Sequence, residues 1–287
     1  MPEEDDGLEA AASDYYGTPY LLAVAGSQAA IQELPQRLPA CRVSVVHPGY
    51  AEHAHAWARH GHSVKPVPVA ELAVAVSSSD VVVVANPNNP SGTFFSPKQL
   101  LDWHRQLAAR DGLLIVDEAF VDVTPQISLA PFSPRRGLVI LRSLGKFFGL
   151  AGARVGFVCA EPELLQRLKA RLGPWCIATP SRRVAQLALQ DKTWQETSRV
   201  ALKAAGARLE ALLQRHGLAP QGGCALFQWI STTRAAAIHE RLAERGILTR
   251  FFDDPKSIRV GLPKTEGDWT RLDGALGAVL ASLKHCP

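Results

Sequence analysis

Short apolar runs recur along the first 160 positions: "LLAVAG" (21–26), "RVSVVHP" (42–48), "VVVVA" (81–85), "LLIVDEAF" (113–120), "LVILRSL" (138–144) and "VGFVCA" (155–160). They are rich in β-branched residues, and several are apolar throughout, the pattern of strands covered on both faces. Between them "SQAAIQELPQRL" (27–38) and "SPKQLLDWHRQLAARDG" (96–112) return an apolar residue every three or four positions and open on helix-start residues. Strands alternating with helices predict an α/β domain around a mainly parallel sheet. Beyond about residue 161 the period lengthens. Helices are predicted at 162–172, 181–190, 193–216, 234–245 and 266–284, with short strands in "ALFQWIS" (225–231), "ILTRFF" (247–252) and "SIRVGLP" (257–263). This second pattern predicts a small α+β domain, so the expected division is a large domain over 1–190 and a small one over 191–287.

Composition narrows the classes. Of 287 residues, 47% are hydrophobic and 20% charged, as in ordinary globular chains. The net charge of +4 is scattered. The basic clusters "RLKAR" (167–171) and "PSRR" (180–183) are short enough to read as solvent faces of helices, and no nucleic-acid partner is expected. The five cysteines are dispersed without ligand spacing, no run approaches the ~20 apolar residues of a membrane span, and "MPEEDDGLEAA" lacks signal-peptide character. A cytoplasmic protein without a membrane partner is expected. His53, His55, His60 and His62 do not share one helix face, so no metal is expected.

Four features near predicted strand ends suggest chemistry, since ligands of open α/β sheets bind beyond the carboxyl ends of the strands. In "AGSQAAI" (25–31) a helix starts at Ser27 and Gln28 after Gly26; its amides suit a phosphate, although Ser27 serves equally as a plain N-cap. "NPNNPSG" (86–92) is a rigid turn able to aim an Asn amide, or an ordinary turn rich in turn residues. Asp117 ends an apolar strand, where a carboxylate needs a cationic partner, catalytic or structural. Lys146 and Arg154 lie in the apolar stretch "LRSLGKFFGLAGARVGF" (141–157). A desolvated lysine is a better amine nucleophile toward an aldehyde, and the arginine fork suits a phosphate; a lysine snorkelling to the surface, with Arg154 in a salt bridge, is the plain alternative. One ligand answers all four: a phosphate, a ring nitrogen, a phenolic oxygen and an aldehyde on one molecule, as in pyridoxal 5′-phosphate.

The order AGS, PGY, NPNNPSG, DEAF, SLGK, LAGARVGF, IRVG resembles the class I/II aminotransferases, fold-type-I enzymes dependent on pyridoxal phosphate, over nearly the whole chain. The resemblance implies that fold, with Lys146 bonded to the cofactor aldehyde, Asp117 on the ring nitrogen, Asn89 on the 3′-oxygen and Tyr50 stacked on the ring. Gly26, Ser27, Gln28, Ser143 and Arg154 match the phosphate cup, and Arg259 matches the grip on the substrate carboxylate. "DEAFVD", with Phe120 where related aminotransferases have tyrosine, the lysine segment and "HPGYAEH" (47–53) resemble the branch that decarboxylates L-threonine O-3-phosphate in cobalamin synthesis. A transaminase of the histidinol-phosphate type and a non-catalytic binder of the same fold are the alternatives; motifs alone do not separate decarboxylation from transamination. A small phosphorylated amino acid is the implied partner, held by Arg250 or by a segment ahead of Met1, and a homodimer is implied. Two departures stand out: Gly145 precedes the lysine where many relatives carry a hydroxyl residue, and the chain starts where the relatives' N-terminal arm is ending.

Overall fold

The computed structural model describes residues 5–284, which divide into two compact units. The first runs to Asn88 and resumes over Phe94–Glu196; the second is Asn89–Thr93 together with the chain from Thr197 onward. The division therefore falls within a helix a few residues beyond the expected position 190, and the turn 89–93 belongs with the C-terminal unit.

In the first unit the strands are β1 (Leu21–Val24), β2 (Arg42–His47), β3 (Ser63–Pro68), β4 (Val81–Ala85), β5 (Leu113–Asp117), β6 (Leu138–Ser143) and β7 (Gly156–Cys159). They form one sheet in the order β1-β7-β6-β5-β4-β2-β3. β2 to β6 pair in parallel and β7 runs antiparallel to both its neighbours. Every residue of β4 and β7 is buried, which explains their unbroken apolar sequences. One face carries Val43, Val45, Val81, Val83, Ile115, Val139, Leu141 and Val158 into a core with Ile31, Trp57 and Leu168.

The helices are α1 (Leu8–Tyr16), α2 (Ser27–Glu33), α3 (Ala51–Arg59), α4 (Leu72–Ser78), α5 (Pro97–Ala108), α6 (Pro162–Leu172), α7 (Thr179–Gln190) and α8 (Lys192–Arg215), the last continuing into the second unit. The apolar pattern does not reveal α1, α3, α4 or β3. β3 lies at the sheet edge with only Val67 buried and with Pro66 and Pro68 in it, so it shows no apolar run. The solvent-face reading of "PSRR" needs correction at Arg182. Its side chain is buried and ion-paired with Asp6 (2.7 Å) and Glu9 (2.6 Å), which ties the start of α1 to α7.

The second unit has an antiparallel sheet of β8 (Gly222–Cys224), β9 (Phe227–Ser231), β10 (Arg250–Phe252) and β11 (Ser257–Gly261) in the order β10-β11-β9-β8. Ile230, Ile258 and Val260 pack with Leu209 and Leu213 of α8, Ile238 and Leu242 of α9 (Ala235–Ala243), and Leu272 and Leu276 of α10 (Glu266–Lys284). No helix among the described residues is long and apolar enough to cross a membrane.

Candidate active site

In the first unit the expected residues sit at strand ends and in the turns that follow. β1 ends at Val24 and α2 begins at Ser27. Between them Gly26 takes φ 73° and ψ 154°, a conformation almost confined to glycine, and caps α2 without a side-chain bond. A Cβ at Gly26 would stand 2.7 Å from Arg154 Nη2, so the missing side chain is what lets the guanidinium lie over the start of α2. Arg154 itself has φ 53°, turning the chain into β7. Gly156 is as closely packed: a Cβ there would meet Ser27 N at 2.6 Å and Arg142 O at 2.7 Å. Ser27, Gly26 and Arg154 are thus brought together by contacts that only glycines permit. Gln28 is met by Tyr50, whose hydroxyl donates to Gln28 Oε1 at 3.3 Å.

Lys146 occupies a compact turn after β6. Leu144 N donates to Val155 O, Gly149 N to Lys146 O, and Leu150 N to Leu144 O, all within 3.0–3.2 Å. Ser143 Oγ accepts from Gly145 N at 3.2 Å, and a Cβ at Gly145 would stand 3.3 Å from Ala151 Cα, a tight approach that the backbone of Ala151 would have to accommodate. Lys146 Nζ lies 5.5 Å from the centre of the Phe120 ring.

Asp117 ends β5 and is buried. Its Oδ1 accepts from Ala119 N at 3.0 Å and its Oδ2 from His53 Nε2 at 2.9 Å. His53 is a partner of Asp117 that the motifs do not point to. The signal was available: with α3 starting at Ala51, His53 shares the buried face with Ala56 and Trp57, and the carboxylate on β5 needed a partner. Tyr50 packs edge-on against His53, ring centres 5.9 Å apart. The other histidines diverge. His62 Nδ1 faces Cys41 and its Nε2 reaches Pro35 O at 2.8 Å, while His55 is exposed beside Glu52. No cluster of three His, Cys, Asp or Glu able to hold a metal occurs among the described residues.

In the second unit Arg259 Nη1 donates to Asn89 Oδ1. Arg259 Cζ lies 5.0 Å from the Phe227 ring centre. Burial pulls Arg259 below the ordinary arginine pKa, and the neighbouring charge of Arg250 adds to the pull. Arg250 and Arg259 are direct cross-strand partners in β10 and β11, so two like charges share one face of the sheet. Such a pair is unfavourable by itself and favours an anion.

These residues fit pyridoxal phosphate chemically. Arg154 over the Gly26–Ser27 turn offers a phosphate site, Asp117 a carboxylate oriented by two donors, and Lys146 an amine in a constrained turn. The family model for class I and II aminotransferases matches residues 3–272. The chain belongs to the class I and II aminotransferase family. It is 56% identical over 276 residues to a threonine-phosphate decarboxylase of Pseudomonas aeruginosa, covering 96% of this chain and 83% of that one. It is 41% identical to a protein of the same name from a Sinorhizobium species, covering 94% and 82%. Among solved structures, the histidinol-phosphate aminotransferase of Sinorhizobium meliloti in complex with pyridoxal-5′-phosphate superposes with a TM-score of 0.87 at 23% identity, over 96% of this chain and 81% of the other, a likeness of fold.

Proposed function

We propose that this aminotransferase-family enzyme is a pyridoxal phosphate-dependent decarboxylase that converts L-threonine O-3-phosphate to (R)-1-amino-2-propanol O-2-phosphate and CO₂, a step of cobalamin synthesis, and that it works as a cytoplasmic homodimer. The observation that carries the reaction is the likeness to the Pseudomonas aeruginosa decarboxylase across nearly the whole chain. The site chemistry supports it through three arrangements in one unit: Gly26 with Arg154, Asp117 with His53, and the Lys146 turn.

In this reading Arg154 and the amides of Ser27 and Gln28 hold the phosphate, assisted by Ser143, and Tyr50 covers the ring. Bound there, the cofactor supplies an electron sink for the bond broken at the substrate's α-carbon. Asp117 holds a proton on the ring nitrogen, and His53 fixes the carboxylate for that task. Asn89 donates to the 3′-oxygen. Lys146 would carry the cofactor at rest and deliver a proton to the α-carbon once CO₂ has left. The substrate has two anionic ends, and the second unit carries two cross-strand arginines. Arg259 holds the carboxylate and Arg250 the side-chain phosphate. Loss of the α-carboxylate rather than the α-proton would depend on how the substrate is held, and Arg259 and Arg250 are the residues proposed to hold its two anionic ends.

Mass spectrometry of products after incubation with pyridoxal phosphate and L-threonine O-3-phosphate tests the reading, with Lys146→Ala as control. Aminopropanol phosphate formed by the wild type and absent with the variant is the expected result. A keto product formed with a keto-acid acceptor would replace decarboxylation by transamination, and binding of the cofactor without any product would favour the non-catalytic alternative.

A further inference from the structure

Side chains alternate along β5, so Glu118, next to Asp117, points to the opposite side of the sheet. There it enters a cluster that the reaction does not use. Glu118 Oε1 accepts from Leu129 N at 2.6 Å, and Oε2 accepts from Ser128 Oγ at 2.6 Å and from Arg142 Nη1 at 2.7 Å. Arg142 Nη2 donates to Asp122 Oδ1, which also accepts from Tyr15 Oη at 3.0 Å. The Arg142 guanidinium lies 4.5 Å from the Tyr16 ring centre. All three charges are buried, with side-chain exposures of 2% for Arg142 and 0% for Glu118 and Asp122. Burial pulls Arg142 downward, but the two carboxylates outweigh it and hold the guanidinium protonated, while burial pushes Glu118 up.

Three buried charges are a poor source of stability compared with an apolar core of the same volume. Their placement suggests another role. Glu118 follows Asp117 directly, and its N–H extends the sheet by donating to Leu141 O at 2.8 Å. Arg142 is the penultimate residue of β6, four residues before Lys146. The bridge Glu118–Arg142 therefore ties together the two strand ends that carry Asp117 and Lys146. α1 closes the cluster from outside: Tyr15 also packs edge-on against Phe148, two residues beyond Lys146, at 5.5 Å between ring centres, and Tyr16 packs against Phe157 at 5.3 Å. The other end of α1 is held by Arg182.

We propose that Glu118, Asp122 and Arg142 are positioning residues for Asp117 and Lys146, with Tyr15 of α1 as the brace that completes them. The inference rests on the cofactor roles given above to Asp117 and Lys146. The test loads the full-length wild type, Tyr15→Phe, Glu118→Gln and Leu107→Ala with pyridoxal phosphate. Leu107, buried on α5, reports the effect of lost stability alone. Visible circular dichroism per bound cofactor reads its fixed orientation, and Tm, kcat and KM are measured alongside. Tyr15→Phe and Glu118→Gln are expected to lower the visible band at least twofold and kcat about tenfold with little change in KM, both beyond Leu107→Ala at an equal loss of Tm. Bands and kcat no different from Leu107→Ala would reduce the cluster to a structural element and overturn the proposal. If Glu118→Gln does not fold, Tyr15→Phe, which loses one partly buried hydroxyl, decides by the same comparison. A wild type with no cofactor-dependent visible band would instead refute the assignment of Lys146 and Asp117, and the proposal with it.

Discussion

Replacing Gly26 by alanine separates the phosphate end of the site from the rest. The backbone at Gly26 lies at φ 73°, ψ 154°, and a side chain there costs about 1–3 kcal/mol. The added methyl would stand 2.7 Å from Arg154 Nη2 and 3.1 Å from Cζ. These atoms are the far end of a flexible side chain, so the guanidinium swings away and the fold survives with a Tm lowered by roughly 2–4 °C per kcal/mol lost. In the proposed site the displaced guanidinium would give up a charge-assisted hydrogen bond to the phosphate worth about 1.5–3 kcal/mol, roughly a 10- to 150-fold loss of affinity. Absorbance titration with pyridoxal phosphate and with pyridoxal, which lacks the phosphate, reads this directly. Gly26→Ala is expected to weaken the first ligand and spare the second. Equal weakening of both, or none, would refute the role given to the Gly26–Arg154 contact.

Other positions yield their own tests. At Gly156 the three atoms nearest a new Cβ are all backbone, so Gly156→Ala is expected to lower Tm more than Gly26→Ala, as a thermal melt of the two variants will show. His53→Ala leaves Asp117 Oδ2 without its imidazole donor; kcat should fall about tenfold, in line with the loss of a hydrogen bond to a charged group, and His53→Gln should recover part of it. Arg250→Ala is expected to raise KM for the phosphorylated substrate at least tenfold while leaving the affinity for pyridoxal phosphate unchanged, measured by steady-state kinetics and titration. Hydrogen bonds from Arg182 hold Asp6 below its unfolded value of 3.8. A depressed carboxylate stabilises the fold above that value and loses its contribution as pH falls through the folded value. Asp6→Asn should therefore be less stable than wild type at pH 6, and the gap should close below about pH 3.8 in denaturant titrations at each pH.

What the amino-acid order discloses depends on whether a residue's reason is local. Asp117 stands out because a carboxylate ends an apolar strand, and Lys146 and Arg154 because cations interrupt an apolar stretch. Their partners are set by strand order. His53 reaches Asp117 across 64 positions, and Arg182 meets Asp6 across 176. Nothing near either residue in the sequence announces the pairing: His53 stands among four histidines without metal-site spacing, and Arg182 in a short basic cluster.

The pair Asp117–Glu118 shows how little local pattern settles. Two adjacent carboxylates with similar chemistry have opposite tasks because a strand turns successive side chains to opposite faces. One meets His53 and the other Arg142. The choice is made by register: Asp117 lies opposite Ala85 of β4 and Leu141 of β6. Slipping β5 by one residue would direct Glu118 toward the imidazole and Asp117 toward the buried guanidinium. The buried runs of β4, β5 and β6 prevent that slip, since it would move core residues between the two faces. The same apolar strands that made the fold legible thus determine which of two neighbouring acids faces the chemistry.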